Sequence, residues 1–253
     1  MKISYQKLKP KLWTYWEDPI DGSSKKSGYI DMCFETMKFH CSDSFDIHIL
    51  NRDNAVDFIK VDPVFHEFKW PVARSCYIRI LLLAKYGGIW LDADTLIVKP
   101  LDPFIKIVSK HGVFWGSEKS GGRGCQYDGV MGASSKNEVI RKAAKIVRSR
   151  TKGANAAEDW RTMGIGPGLT QQLKDYKHYE LPNQNFYSIG NRNASDHWLS
   201  QNDPNEYLKD EVYGFSIWNR HMRRNSSDFT TMDKKELLNK SILFSSIYKK
   251  CME

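Results

Sequence analysis

The sequence lacks three features that would place it in a class at once. No segment reaches the roughly 18 consecutive apolar residues of a membrane-spanning helix, and the N-terminus MKISYQKLKPKLW lacks the apolar stretch of a secretory signal. The five cysteines are scattered and form no C-x-x-C pair, which argues against a disulfide framework and a structural zinc site. We therefore expect a cytoplasmic protein in a reducing compartment.

Internal repeats, low-complexity blocks and nucleic-acid-binding motifs are also missing from the sequence. What remains is an ordinary globular composition, and 253 residues are enough to bury a sizeable core. We expect a single domain over residues 1–253. The net charge of +8 suits polyanionic partners in general, which include nucleic acid, an anionic membrane surface and phosphate-bearing ligands, and does not choose among them.

Strand and helix signals alternate along the chain. Apolar strand patterns occur in KLWTYW, FDIHILN, IWLDADTLIVKP and GVFWGSE, and helical spacing occurs in YIDMCFETMKFH, ARSCYIRILLLAKYGG and EVIRKAAKIVRSR. The glycines Gly87 and Gly88 are expected to end the second of these helices, because glycine is the usual residue just past a helix. This alternation predicts an α/β fold, a sheet with helices on both faces.

The second half of the chain is less regular. SGGRGCQYDG is expected to be a loop, MGIGPGLTQQLKDY a glycine-punctuated turn that opens a helix, and LPNQNFYSIG a strand or a loop. From about residue 191 the sequence is polar and weakly periodic until the amphipathic KKELLNKSILFSSIYKK. We expect a regular half over about residues 1–110 and an irregular half over about residues 111–253.

The residue pair Asp92 and Asp94 is the strongest indication of chemistry. Two carboxylates at i and i+2 on an extended segment point to the same side, so they can share one hard cation. A solvated turn would carry the same D-x-D pattern by chance, but apolar IWL precedes Asp92 directly. Both carboxylates are thus expected at the end of a buried strand, where open α/β sheets bind their ligands.

The run from Ser75 to Pro103, SCYIRILLLAKYGGIWLDADTLIVKPLDP, resembles the signature of the sugar-transferring D-x-D proteins of glycosyltransferase family 32, and especially their capsular polysaccharide synthesis branch. KLWTYWEDP, YIDMCFETMKFH and FDIHILN are similar to that branch in order and spacing, as are YDGVMGAS and GIGPGLT further on. The resemblance covers most of the first 175 residues.

The resemblance implies a GT-A-like, Rossmann-like mixed sheet and a glycosyltransferase that retains the anomeric configuration. It makes residues 1–110, approximately, the nucleotide-sugar-binding half and residues 111–253 the acceptor half. It implies a UDP- or GDP-sugar donor, with Mn²⁺ or Mg²⁺ held by Asp92 and Asp94. A dication on the diphosphate would stabilise the negative charge that develops on the leaving group. The acceptor stays open among a capsule or surface polysaccharide, a lipid-linked sugar and a glycoprotein glycan.

Other site residues follow from the resemblance. Arg79 matches the family arginine that contacts donor oxygens, and Ser75 matches the position that contacts the donor nucleoside. Trp13 and Trp16 are candidates to stack on the donor base, with one of the two expected in the core. Asp128 stands where the family often has Asn and is assigned to the transferred sugar or the acceptor.

Two parts of the sequence depart from the family pattern. Cys76 replaces an aspartate that is expected to bind the transferred sugar, which puts the identity of that sugar in doubt; the residues favour a core cysteine. In GFSIWNRHMRR, Ser216 stands where a metal-binding histidine is expected, so Ser216, Asn219 and His221 compete as a third metal ligand. Gly166, Pro167 and Gly168 are expected to shape a turn.

The basic cluster near the C-terminus has two interpretations. Arg220, Arg223 and Arg224 could close over the donor diphosphate as a lid, or they could form a solvated face. The following amphipathic segment SILFSSIYKK could rest on an anionic membrane or pack in the core, and core packing is favoured.

Two other functions share parts of the pattern. DADTL resembles the D-x-D-x-T signature of haloacid-dehalogenase-type phosphatases, but it lies about ninety residues into the chain, and only Glu158 and Asp159 resemble the later acid pair. A non-catalytic basic module for nucleic acid or an acidic glycan would explain the charge and the aromatic residues. It would leave the carboxylate pair unexplained.

Overall fold

The computed structural model of the chain describes residues 8–18, 26–118, 125–152, 163, 169–173 and 175–253. Within these ranges no helix is long and apolar enough to cross a membrane. The strands are β1 Lys11–Tyr15, β2 Asp46–Leu50, β3 Gly88–Leu91, β4 Thr95–Ile97, β5 Val113–Glu118, β6 Cys125–Ala133, β7 Tyr179–Leu181 and β8 Gly214–Ser216.

The helices of the first half are α1 Gly28–Cys41, α2 Ala55–Phe58, α3 Val64–Glu67, α4 Pro71–Tyr86, α5 Asp102–His111 and α6 Glu138–Arg150. Those of the second half are α7 Thr170–Leu173, α8 Ala194–Trp198, α9 Asn219–Asn225, α10 Ser227–Thr231, α11 Lys234–Leu238 and α12 Leu243–Cys251. Three short 3-10 helices, Asn183–Asn185, Asn191–Asn193 and Pro204–Glu206, lie between β7 and β8.

Six strands form one mixed sheet in the order β2-β1-β3-β6-β5-β7. β1 runs parallel to β2 and β3, β6 runs antiparallel to β3 and β5, and β7 runs parallel to β5. Strands from both halves of the chain therefore belong to the same sheet. The carboxyl ends of β1, β2 and β3 meet at one edge, because these three strands are parallel.

The sheet separates two apolar cores, since side chains alternate between its faces. Leu12, Ile89 and Leu91 pack in one core with α1 and the C-terminal helices, whereas Trp13 and Trp90 pack in the other with α4 and α6. Helices thus cover both faces, and the α/β sheet predicted from the sequence is confirmed.

The α4 helix connects β1 and β2 to β3 and carries much of the site. Its Pro71 occupies the first turn, where a missing N–H costs nothing, and Gly87 ends it at φ 72°. Since α4 ends where β3 begins, its N-terminal part lies toward the carboxyl ends of the parallel strands. Arg74 and Ser75 of this part, and Arg79 at the middle of the helix, therefore lie toward the same edge of the sheet as Asp92.

A second, two-stranded sheet lies directly after the D-x-D motif. β4 pairs antiparallel with β8, with Thr95 opposite Ser216 and Ile97 opposite Gly214. In the sequence this segment is the second apolar part of the strand pattern IWLDADTLIVKP, after the two carboxylates. In the structure that run leaves the main sheet and takes a partner from the C-terminal part of the chain.

Two segments of the second half differ from the sequence prediction or refine it. CQYDG is not loop but the start of β6. KKELLNKSILFSSIYKK forms two helices, α11 and α12, and the first begins at a capping box between Asp233 and Glu236. The apolar side chains Leu243, Phe244 and Ile247 of α12 are buried, as core packing requires. Residues 166–168 and 158–159 lie outside the described residues.

Candidate active site at the end of strand β3

The carboxylate pair occupies the position that the sequence predicted. Ile89, Trp90 and Leu91 of β3 are buried, and Asp92 follows the strand immediately. The Asp92 N–H donates to the carbonyl oxygen of Gly129 at 2.7 Å, which ties the turn to the neighbouring strand β6. Asp94 follows after Ala93, just before β4. Both carboxylates therefore lie between the two sheets.

Arg79 holds two of the acidic groups of the site together. Its guanidinium is 3% exposed and lies 2.9 Å from Asp92 Oδ1 and 2.9 Å from Asp128 Oδ1. It also donates to the Asp128 carbonyl oxygen and, at 3.2 Å, to Ser75 Oγ. The guanidinium carbon stands 5.1 Å from the centre of the Trp90 ring. The structure thus brings Ser75, Arg79, Asp92 and Asp128 to one place.

The electrostatics of this cluster reflect its burial. Burial alone would lower the pKa of Arg79, but the negative charges of Asp128 and Asp92 outweigh it and hold that pKa above its ordinary value. Burial raises the pKa of Asp92, and the charge of Arg79 and the Trp90 indole N–H at 3.0 Å only partly oppose this. One buried guanidinium is therefore shared between two carboxylates.

Asp94 forms no ion pair with an arginine in the part of the chain that the structure describes. Burial and the nearby charge of Asp92 raise its pKa to about 6, and the backbone N–H of Asn219 opposes the effect. That N–H donates to Asp94 Oδ2 at 2.7 Å, and the Ile217 N–H donates to the Asp94 carbonyl oxygen at 2.9 Å. Two peptide groups from the C-terminal part of the chain hold this residue.

The carboxylate pair suits a hard cation. Asp92 Oδ1 and Asp94 Oδ2 accept hydrogen bonds, whereas Asp92 Oδ2 and Asp94 Oδ1 receive none from any other residue in the described part of the chain. Each carboxylate thus has one oxygen held by the protein and one left over. Oxygen donors of this kind are the ligands that Mg²⁺ and Mn²⁺ prefer, so the residues present fit such an ion.

The three candidates for a third metal ligand, Asn219, Ser216 and His221, have different surroundings in the structure. The Asn219 side-chain oxygen accepts a hydrogen bond from the buried Tyr29 hydroxyl at 2.6 Å. Ser216 pairs with Thr95, and His221 Nε2 lies 3.5 Å from Ser195 Oγ, because its ring turns toward α8. Among the described residues no three His, Cys, Asp or Glu side chains could hold one metal ion. The structure therefore does not bring His221 to the carboxylate pair.

The two tryptophans of the first strand have different environments. Trp13 is fully buried, donates its indole N–H to the Gly87 carbonyl oxygen at 2.9 Å and stacks on His48. It is a core residue, which corrects its candidacy for stacking on a donor base. Trp16 is partly exposed and lines a cavity of about 450 Å³ that Phe34, Asn51 and Arg52 also border. This cavity lies at the carboxyl ends of β1 and β2.

Cys76 and the basic cluster complete the residues singled out by the sequence. Cys76 is 3% exposed and packs in the core shared with Trp90, and burial raises the pKa of its thiol to about 12. It is a neutral core side chain, as the sequence analysis favoured. Arg220, Arg223 and Arg224 are exposed on α9, the helix that begins at Asn219 beside Asp94.

Several residues of the site were not foreseen. Gly129 faces Asp92, Tyr187 lies against Gly129, and Trp218 precedes Asn219 in a left-handed backbone conformation at φ 61°. Only the glycine has a signal in the sequence, since it lies within YDGVMGAS. Tyr187 and Trp218 lie in irregular segments far along the chain, where no periodic pattern indicates what they contact.

The fold and the site together define a D-x-D protein of the α/β class, with its carboxylates at the end of a central strand and a buried arginine behind them. Residues 2–221 match the family of capsular polysaccharide synthesis proteins, so the chain belongs to that family. The branch that the sequence resembles is confirmed, and with it the enzyme class, a glycosyltransferase. No curated protein matches the chain.

Solved structures with a similar chain path include three glycosyltransferases. One, involved in glycosylation of the major capsid of PBCV-1, is 14% identical at a TM-score of 0.48, covering 84% of this chain and 97% of that one. GlyE of Streptococcus pneumoniae TIGR4 is 15% identical at 0.48, covering 96% and 63%. The galactosyltransferase LgtC, in complex with donor and acceptor sugar analogs, is 12% identical at 0.49, covering 95% of each. These distant likenesses do not bear on substrate.

Proposed function

We propose that the chain is a GT-A-like glycosyltransferase that moves a sugar from a nucleoside-diphosphate donor to a glycan acceptor and requires Mn²⁺ or Mg²⁺. The observation that carries this proposal is the pair Asp92 and Asp94, each with one oxygen bound by the protein and one without a partner among the described residues. Membership of the capsular polysaccharide synthesis family supports a polysaccharide, lipid-linked or other glycan acceptor.

The residues around the pair divide the work of binding. Asp92 and Asp94 would hold the divalent cation, which when bound neutralises negative charge on the donor diphosphate as the sugar leaves. Arg79 favours the ionised form of Asp92, against the effect of burial on its pKa, and fixes its orientation through a charge-assisted hydrogen bond of 2.9 Å. Asp128, held by the same guanidinium, faces the site and is proposed to contact the transferred sugar or the acceptor.

We place the donor nucleoside in the cavity beside Trp16. The cavity opens at the carboxyl ends of β1 and β2, at the sheet edge that also carries Asp92. Trp16 offers an indole face for a base, and its N–H is engaged by Asp18 at 3.1 Å. Ser75 stays a proposed contact of the nucleoside, because its hydroxyl accepts from Arg79 and still has its own O–H to donate.

We further propose that transfer retains the anomeric configuration. Retaining transfer in such a site does not need a protein nucleophile, because positioning and charge stabilisation supply the catalysis. In the proposed site Arg79 contributes to this positioning, since it binds Asp92 on one side and Asp128 on the other.

The experiment that tests the proposal is a thermal-shift screen of UDP- and GDP-sugars with and without MnCl2. A ligand that binds only the folded state raises the melting temperature by mass action. We expect a shift with one donor that disappears on omitting Mn²⁺. Folded protein that responds to no donor with metal present would contradict the proposed function.

Two tryptophan variants make the screen specific for the cavity. Trp16→Ala removes the proposed stacking face and should weaken the donor-dependent shift, because a base on an aromatic ring gains roughly 1–3 kcal/mol. Trp70→Ala is the matched control, since Trp70 is an exposed tryptophan outside this cavity. Equal donor-dependent shifts in melting temperature for both variants would show that the nucleoside does not stack on Trp16.

A further inference from the structure

We propose that Trp218 is a positioning residue for the carboxylate pair, acting through its backbone on Asp94 and through its ring on the wall beside Asp92. The proposal rests on the proposed function, because the pair matters through the cation that it would hold. Trp218 itself is not assigned any contact with donor or acceptor. Two separate sets of contacts lead to it.

The first set comes from the backbone. Trp218 has φ 61° and ψ 54°, and it is the one non-glycine residue with positive φ among those the structure describes. Such a conformation is unusual for a bulky side chain. It turns the chain so that the peptide N–H groups before and after Trp218 both reach Asp94. Ile217 N donates to the Asp94 carbonyl oxygen at 2.9 Å, and Asn219 N donates to Asp94 Oδ2 at 2.7 Å.

The same turn also starts the next helix. The Trp218 carbonyl oxygen accepts from the N–H groups of His221 at 2.8 Å and Met222 at 3.0 Å. The left-handed residue thus joins β8, which pairs with β4, to α9, which begins above Asp94. If Trp218 relaxed to an extended conformation, the two N–H groups could not both stay on Asp94.

The second set comes from the indole ring. Its N–H donates to the Ile189 carbonyl oxygen at 2.8 Å, which anchors the partly buried side chain. The ring centre stands 5.7 Å from that of Tyr187. The Tyr187 hydroxyl in turn lies 3.4 Å from the place where a Cβ on Gly129 would be, next to Asp92 Oδ2. The ring therefore supports the wall beside the first carboxylate.

The two sets together explain why a tryptophan occupies a conformation that glycine would adopt without cost. The ring contacts hold the side chain, and the held side chain keeps the backbone in the left-handed region. The conformation then aims both peptide groups at Asp94. Removing the ring and removing the conformational penalty should have opposite effects on the carboxylate, and variants can separate them.

The test compares Trp218→Ala, Trp218→Gly and Trp218→Phe by the Mn²⁺ affinity of the folded protein, titrated with MnCl2 and followed by the EPR signal of free Mn²⁺. Trp218→Ala loses the ring and resists the left-handed conformation, so it should bind Mn²⁺ about tenfold more weakly than the wild type. Trp218→Gly loses the ring but adopts the conformation freely, so it should recover about fivefold of that loss. Trp70→Ala is the control.

The order of the variants decides the proposal. A purely structural role would lower the melting temperature of the glycine variant at least as much as that of the alanine variant and leave the Mn²⁺ affinity of both unchanged, which would overturn the proposal. If Trp218→Ala does not fold, Trp218→Phe decides. It loses the bond to Ile189 that anchors the side chain, so its Mn²⁺ affinity should fall by about fivefold, and a wild-type affinity would overturn the proposal. Wild-type protein that binds no Mn²⁺ would instead overturn the proposed function.

Discussion

Gly129 and Asp92 are so close that a side chain on the glycine would meet the carboxylate. A Cβ at position 129 would lie 2.9 Å from Asp92 Oδ2, the oxygen that receives no hydrogen bond from another described residue. Real Cβ atoms hardly ever approach an oxygen that closely. The missing side chain of Gly129 therefore leaves open the space beside the oxygen proposed to bind the cation.

Gly129→Ala should weaken Mn²⁺ binding by about tenfold or more, because the new methyl group takes space beside Asp92 Oδ2. Gly129 does not have positive φ, so the fold should tolerate the methyl group with a modest fall in melting temperature. Titration with MnCl2 measures the affinity and thermal unfolding measures the stability. Undiminished affinity in this variant would show that the cation does not use that oxygen.

Asp92→Asn and Asp94→Asn should each abolish the metal-dependent thermal shift with a nucleotide sugar. An amide has the shape of the carboxylate but lacks the charge that attracts a dication. The matched control is Asp46→Asn, since Asp46 is half-exposed at the start of β2 and pairs with Lys11. Wild-type turnover by folded Asp94→Asn protein would contradict the assignment.

The affinity for Mn²⁺ should depend on pH around the raised pKa of Asp94. Burial and the charge of Asp92 raise that pKa to about 6, so below this pH the cation must displace a proton. Affinity should fall by up to about tenfold per pH unit below about pH 6 and level off above it. Titrations with MnCl2 between pH 5 and pH 8, within the range where such carboxyls titrate, measure this.

The same shift has a consequence for stability without metal. A carboxyl whose pKa is raised in the folded state favours folding when protonated, and that contribution is lost as the pH rises from its ordinary 3.8 through about 6. Without metal, the free energy of unfolding of Asp94→Asn relative to that of the wild type should therefore increase over this pH interval, by on the order of 1 kcal/mol or more. Urea unfolding at several pH values measures the difference, and a constant difference would contradict the raised pKa.

Arg79→Ala should damage both the fold and the activity. It leaves the carboxylates of Asp92 and Asp128 without the guanidinium between them, and breaking a buried ion pair costs about 3–5 kcal/mol. Turnover should fall by more than about tenfold, the scale of one lost charge-assisted contact. Arg79→Lys keeps a charge but cannot bridge both carboxylates, so it should recover only part of the loss.

The control for this pair is Arg148→Ala. Arg148 binds Asp62 at 3.2 Å with both side chains substantially exposed, and exposed ion pairs contribute about 1 kcal/mol or less. Urea unfolding and turnover of both variants make the comparison. A folded Arg79→Lys enzyme with full activity would return Arg79 to a structural role.

The sequence predicted the regular part of the fold because local patterns determine it. The helix around Arg79 has an apolar face and a glycine stop, and its observed end at Tyr86 agrees with both. The strand before Asp92 is short and apolar, as a buried strand must be. The position of the two carboxylates at the end of a strand could therefore be predicted from the residues next to them in the sequence.

What could not be predicted depends on contacts between distant residues. Thr95 pairs with Ser216, and the three residues of β8 carry no pattern that would reveal a strand. The burial of Trp13 and the partial exposure of Trp16 could not be predicted, since both residues belong to the same apolar run KLWTYW. The hydrogen bond from the Asn219 N–H to Asp94 depends on the left-handed backbone of Trp218. A tryptophan in a sequence does not indicate that conformation.

The pairing of β4 with β8 also orders events during synthesis of the chain. Translation produces Asp92, Arg79 and Asp128 well before residues 214–219, which supply the peptide groups that hold Asp94. A nascent chain can form the arginine cluster early, but its second carboxylate stays unrestrained until the late segment leaves the ribosome. Metal-binding competence should therefore be acquired at a late stage of translation, after most of the sheet has been made.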